Sequence, residues 1–123
     1  MAHYSIAHVV RLRDGMFAVR SADYLECEGR DVQVWPASEK FRAALAEQVC
    51  GMIEEGELPP ALYPSLDEAQ SKLAAQCRMQ LAAEDRRPNT FDYAVLVELD
   101  LAPAEAERLA SLRVGRLLPE SRL

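Results

Sequence analysis

A chain of 123 residues, half of them hydrophobic, is one domain by length and carries enough apolar side chain to bury a core, which excludes a disordered chain. The formal net charge of −6 argues against broad nucleic-acid affinity, which rests on Lys and Arg neutralising phosphates, and suits a basic protein partner reached by electrostatic steering. No apolar run approaches the ~20 residues of a membrane-spanning helix, and the N-terminus lacks the basic-then-apolar order of a secretory signal, so a soluble cytoplasmic protein is expected.

The chain opens on Tyr4–Ser21, YSIAHVVRLRDGMFAVRS, two alternating apolar runs joined at Asp14-Gly15. Asp-Gly between such runs is a strong hairpin signal, because both central residues of a type I′ turn take positive φ. Tyr4, Ile6, His8, Val10 and Leu12 share one face of the first arm; Phe17 and Val19 share one face of the second. Two strands alone are marginal, so the hairpin needs more strands and a covering layer. Ala22–Arg30 reads as a polar connection and Asp31–Trp35 as a short third strand. Pro36 suits the first turn of a helix. Over Ala37–Glu55 the residues Phe41, Leu45, Val49, Met52 and Ile53 form an apolar stripe, Gly56 caps the end, and Pro59-Pro60 forbids continuation.

Glu57–Pro64 is a proline-bearing loop. Ser65-Leu66-Asp67-Glu68 has the S-x-x-E form of a capping box, and the helix it starts is expected to reach about Glu84 with Leu66, Ala69, Leu73, Cys77 and Leu81 on one stripe. After a polar break, Phe91–Leu101 (FDYAVLVELDL) is a strand apolar enough on both faces to sit inside the sheet. Pro103 starts a short third helix over Ala104–Leu112 that ends before Gly115. The order β-β-β-α-α-β-α describes an α+β fold: a small mixed or antiparallel sheet with helices packed on one face, residues 1–112, followed by a tail, residues 113–123. The helical excursion between strands three and four allows strand four to run parallel beside strand one.

The residues point away from catalysis. There is no glycine-rich phosphate loop, no G-x-S-x-G and no H-E-x-x-H. The three cysteines, Cys27, Cys50 and Cys77, show no CxxC spacing, so neither a disulfide framework nor a zinc site is expected. His3 and His8, five apart on a strand, face opposite sides and cannot chelate one metal; His8, on the apolar face, reads as a core or interface histidine. Cys27 reads as a structural cysteine. A strand-strand-strand-helix-strand order invites comparison with metal-dependent nucleases of RNase H-like fold, which hold Mg²⁺ with carboxylates from the first strand, the helix and the fourth strand. The first strand here has no acidic residue, so Asp92, Glu98 and Asp100 of the fourth lack that partner. No catalytic residue, metal or cofactor is expected.

Phe17–Cys27, FAVRSADYLEC, resembles the strand-and-loop segment Y-V-V-x-x-P-D-L-P-G-C of HicB-like antitoxins, with Phe17, Val19, Asp23 and Cys27 matching in spacing. Ala37, Ala44 and Leu45 fall on that family's helix, and Glu54-Glu55-Gly56-Glu57 before the prolines resembles its helix exit. Val95–Leu101, VLVELDL, is similar to the family's fourth strand, and Arg113–Glu120, RVGRLLPE, to the segment that opens its ribbon-helix-helix. The resemblance implies a partial RNase H-like domain without catalysis that binds and masks HicA, a small basic RNA-cleaving toxin, together with a C-terminal module that binds operator DNA in members that carry one.

Departures narrow that implication. Ala22, Leu25 and Glu26 stand for the Pro, Pro and Gly of the loop motif, and the helix from Ser65 is longer than the usual connection. The chain ends at Leu123, where the helices of a ribbon-helix-helix would begin, which argues against specific DNA binding. Partner contacts are therefore expected at Arg20, Asp23, Tyr24 and Glu26, and self-association into a homodimer or higher oligomer at Arg113, Val114 and Leu118. The competing reading is a stand-alone interaction or regulatory module on the same fold, with neither toxin nor operator.

Overall fold

The computed structural model describes residues 1–83 and 93–117. The first arm of the hairpin is β1 (Ala2–Arg11), the second β2 (Phe17–Arg20), and a third strand, β3 (Glu28–Asp31), adds to β2. Helices α1 (Val34–Glu54) and α2 (Leu66–Ala83) precede β4 (Tyr93–Asp100), and α3 (Pro103–Leu117) follows it. The sheet order is β3-β2-β1-β4, with every neighbouring pair antiparallel. The α+β class and the element order are those expected from the sequence.

The hairpin closes differently from a two-residue turn. Gly15 takes φ +86°, while Asp14 keeps negative φ. The Gly15 amide bonds to the Leu12 carbonyl at 3.0 Å, and Leu12 donates to Met16 at 2.8 Å. Arg13-Asp14-Gly15 is thus a three-residue loop, a type I turn ending on a left-handed glycine. The Asp14 carboxylate accepts from the Met16 amide at 2.9 Å and fixes it.

Alternation along β1 gives the sheet two unequal faces. His3, Ser5, Ala7 and Val9 are buried on one. There Ala7 and Val9 join Val19, Val97 and Leu99 against the α1 stripe Ala37, Phe41, Leu45, Val49 and Ile53, with Ala106 and Leu109 of α3 closing the same core. The opposite face carries Tyr4, Ile6, His8 and Val10. Ile6 and Ala69 of α2 are buried but stand outside that main core, and α2 lies against β1 and β4. Two helix layers therefore sandwich β1 and β4, where the sequence reading had placed all helices on one face. Of the two histidines His3 is the one in the core, at 4% exposure, while His8, expected as a core or interface histidine, is half-buried.

Three further expectations are corrected. Strand three lies at Glu28–Asp31 rather than Asp31–Trp35, because α1 already starts at Val34 and leaves Val32 and Trp35 exposed, with the Arg42 guanidinium 5.9 Å from the Trp35 ring centre. Strand β4 is an edge strand, and it runs antiparallel to β1. One crossover helix would return the chain parallel to β1; the second, α2, reverses it again. Finally, α3 continues through Gly115 to Leu117, so residues 113–117 are helical rather than a ribbon strand.

Caps delimit the helices. Gly56 at φ +77° ends α1 in a Schellman motif, its amide bonding to Ile53 and that of Glu57 to Met52. Ser65 Oγ accepts from the Glu68 amide at 3.4 Å, as the S-x-x-E pattern requires. Glu105 reaches back to the Ala102 amide at 3.3 Å and starts α3. The segment between α1 and α2 is not loose: Tyr63 exchanges two 2.8 Å backbone bonds with Tyr4, extending the sheet beside the part of β1 that β2 leaves unpaired.

Candidate partner-binding site

The loop from β2 to β3 turns its side chains alternately in and out. Ser21, Tyr24 and Cys27 are buried, three residues apart, while Asp23, Leu25 and Glu26 are exposed. The Ser21 hydroxyl accepts from the Asp23 amide at 3.1 Å, the Tyr24 hydroxyl donates to the Pro60 carbonyl at 2.5 Å, and the Cys27 amide closes a turn on Tyr24. Burial, and secondarily the carboxylate of Asp23, raises the Tyr24 pKa; burial and Glu26 raise that of Cys27. A thiol held in its neutral form is a poor nucleophile, so both side chains serve here as anchors.

What the anchored loop presents is one wall of a groove; the outer face of α1 is the other. Glu26 and Cys27 line a recess of about 410 Å³ with Ala44, Glu47, Gln48, Gly51, Met52, Glu55 and Glu57. An adjoining recess of about 280 Å³ is bounded by Asp23, Tyr24, Leu25, Gln48, Met52 and Pro60. Asp23, Glu26, Glu47, Glu55 and Glu57 therefore converge with no Lys or Arg in either lining. Among the described residues none of the five carboxylates is in an ion pair. Leu25, 86% exposed, stands on the rim. The groove is thus acidic, with apolar side chains on its floor and rim.

Of the expected contact residues, Asp23 and Glu26 are brought together there, and Tyr24 supports them from below. Arg20 is not part of the groove. Its neighbour Val19 packs in the α1 core, so Arg20 points to the other face of the sheet, where its Nε bonds Glu28 at 2.7 Å. Glu28 also pairs with Arg30, and these hydrogen bonds, Arg30's first, hold its carboxyl below the usual range. Of the expected self-association residues, Arg113 is half-buried and donates to the Leu62 carbonyl, Val114 is exposed beside it, and Leu118 lies outside the described residues. Glu47, Gln48, Gly51 and Glu55 were missed. Their signal was present as the face of α1 opposite its apolar stripe.

Asp100 is paired with the N-terminal amine at 2.9 Å, Glu98 is exposed, and Asp92 lies outside the described residues. Among the described residues no group of three His, Cys, Asp or Glu side chains is placed to hold a metal ion, and no helix is long and apolar enough to cross a membrane.

No family model matches the chain, and no curated protein does. Among solved structures, the N-terminal domain of the antitoxin HicB from Burkholderia pseudomallei matches with a TM-score of 0.50 at 21% identity. The match covers 82% of this chain and 100% of that one. The chain thus has the fold of a HicB antitoxin N-terminal domain, in agreement with the motif resemblance at Phe17–Cys27 and Val95–Leu101.

Proposed function

We propose that this chain is an antitoxin-type regulator that binds and neutralises a small basic, HicA-like RNA-cleaving toxin by protein–protein contact, without chemistry of its own. The observation that carries this reading is the fold shared with an antitoxin domain over that domain's whole length. The carboxylate groove beside α1 supports a basic partner, since opposed surface charge accelerates association and disfavours wrong partners. Co-expression tests it. The chain should relieve growth arrest caused by a basic protein encoded beside it, and the two should co-purify. Absence of both rescue and co-purification with any such protein would sink the reading. The stand-alone interaction module remains the second reading, favoured by α2, on which Ala69 is the one fully buried residue among those whose burial is described.

A further inference from the structure

Gly51 sits in the last turn of α1, which ends at Glu54, and packs against nothing that requires a glycine. A Cβ there would meet nothing within 4 Å, and its φ is not in the left-handed region. Glycine is among the poorest helix formers, so nothing in the helix itself favours it there. Its position gives the vacancy a context. Glu47 and Gly51 of α1 and Glu55, its C-cap residue with helical backbone angles, follow at i, i+4 and i+8 along one face, which sets the two carboxylates about 12 Å apart along the axis with bare backbone between them. Met52 and the rim residue Leu25 add apolar surface alongside, and Glu26 and Glu57 complete the lining.

We infer that this face is the seat of a basic amphipathic helix of the partner, packed lengthwise on α1. A small or apolar residue of that helix lies over Gly51, and two Arg or Lys side chains, about two helical turns apart, reach Glu47 and Glu55. Removing the side chain at Gly51 lets two helix backbones approach closely, and the flanking carboxylates supply the complementary charge. A second copy of this chain would bring the same carboxylates against each other, so charge selects a basic partner over self-association at this face. The inference rests on the reading of the chain as a binder of a basic protein, and it adds where and in what form that protein is held.

The test uses the full chain and a constrained helical peptide with Arg at positions i and i+8, Ala midway and Leu on the same face, titrated by fluorescence anisotropy at low salt. A scrambled peptide of equal composition serves as the charge control. The designed peptide should bind, and the scrambled one should bind far more weakly. The double variant Glu47→Lys/Glu55→Lys should lose about a hundredfold in affinity, whereas Asp67→Lys/Glu107→Lys, with the same charge change on α2 and α3, should stay within about threefold. Gly51→Leu fills open space in the monomer and should match or exceed the wild type in thermal stability, yet abolish peptide binding. Absence of binding by the designed peptide overturns the inference. So does equal binding of both peptides, equal loss in the two charge-reversed doubles, or unchanged affinity in Gly51→Leu. Failure of the antitoxin reading shows separately, as absence of rescue by the wild-type chain in cells.

Discussion

Gly29 of β3 lies directly beneath Ala37 in the opening turns of α1: a Cβ on Gly29 would stand 2.0 Å from the Ala37 carbonyl oxygen and 2.5 Å from the Phe41 nitrogen. Both of those atoms belong to backbone, so they cannot swing aside as a flexible side chain would. The close approach lets α1 sit low on the β2–β3 half of the sheet and aligns its outer face with the loop carrying Asp23 and Glu26. Gly29→Ala should therefore cost about 3 kcal/mol by overpacking, read as a lowered urea midpoint with an unchanged slope. Gly51→Ala, on the same helix but over open space, should move stability the other way by up to about 1 kcal/mol.

The same contact explains why strand three was illegible in the sequence. Glu28-Gly29-Arg30-Asp31 has little β propensity, whereas Asp31–Trp35 alternates like a strand. Pairing with β2, the Arg20–Glu28–Arg30 cluster and the fit of Gly29 under α1 outweigh that local pattern. The α1 stripe, by contrast, was legible because a helix packed on one side buries every third or fourth residue. β4 was placed at the sheet centre because Leu96 makes its second face apolar; α2, not a neighbouring strand, accounts for that. Asp23 and Glu26 could be singled out as loop residues of a known pattern. Glu47 and Glu55 look like any solvated helix face until the loop is folded against them.

Arg113 belongs to the fold rather than to a tail. Its guanidinium donates to the Leu62 carbonyl and ties α3 to the segment that pairs with β1. Arg113→Ala should destabilise the protein by about 1–2 kcal/mol, the cost of a lost charge-assisted bond and an unpaired carbonyl. Chemical denaturation measures the loss. Light scattering on the folded variant should show the wild-type mass, in contrast to the change expected if Arg113 were an interface residue.

The strap that Arg113 holds contains one strained residue. Ala61 has φ +46°, a region that costs a residue with a Cβ about 1–2 kcal/mol. Ala61→Gly relieves the strain, and the greater freedom of glycine in the unfolded chain offsets part of the gain. A net stabilisation of about 0.5–1 kcal/mol should appear in urea titrations. A loss would mean that the Ala61 methyl packs against something in the 58–64 segment.

His3 makes stability depend on pH with a definite sign. It is 4% exposed, its Nδ1 lies 3.3 Å from the Met1 carbonyl, and burial, with smaller contributions from Arg113 and the N-terminal amine, lowers its pKa below 6.5. A histidine whose folded pKa is depressed binds its proton more readily in the unfolded state. The fold is then unpenalised above pH 6.5 and loses stability as pH falls from there to the folded pKa, below which the penalty is complete. His3→Gln keeps a polar group near the Met1 carbonyl and cannot titrate. The stability difference between wild type and His3→Gln should be constant above about pH 7.5 and shift in favour of the variant below about pH 6. Urea unfolding at stepped pH measures this difference and cancels the acid titration of carboxylates common to both chains. A difference independent of pH would show that His3 is solvated in the native state.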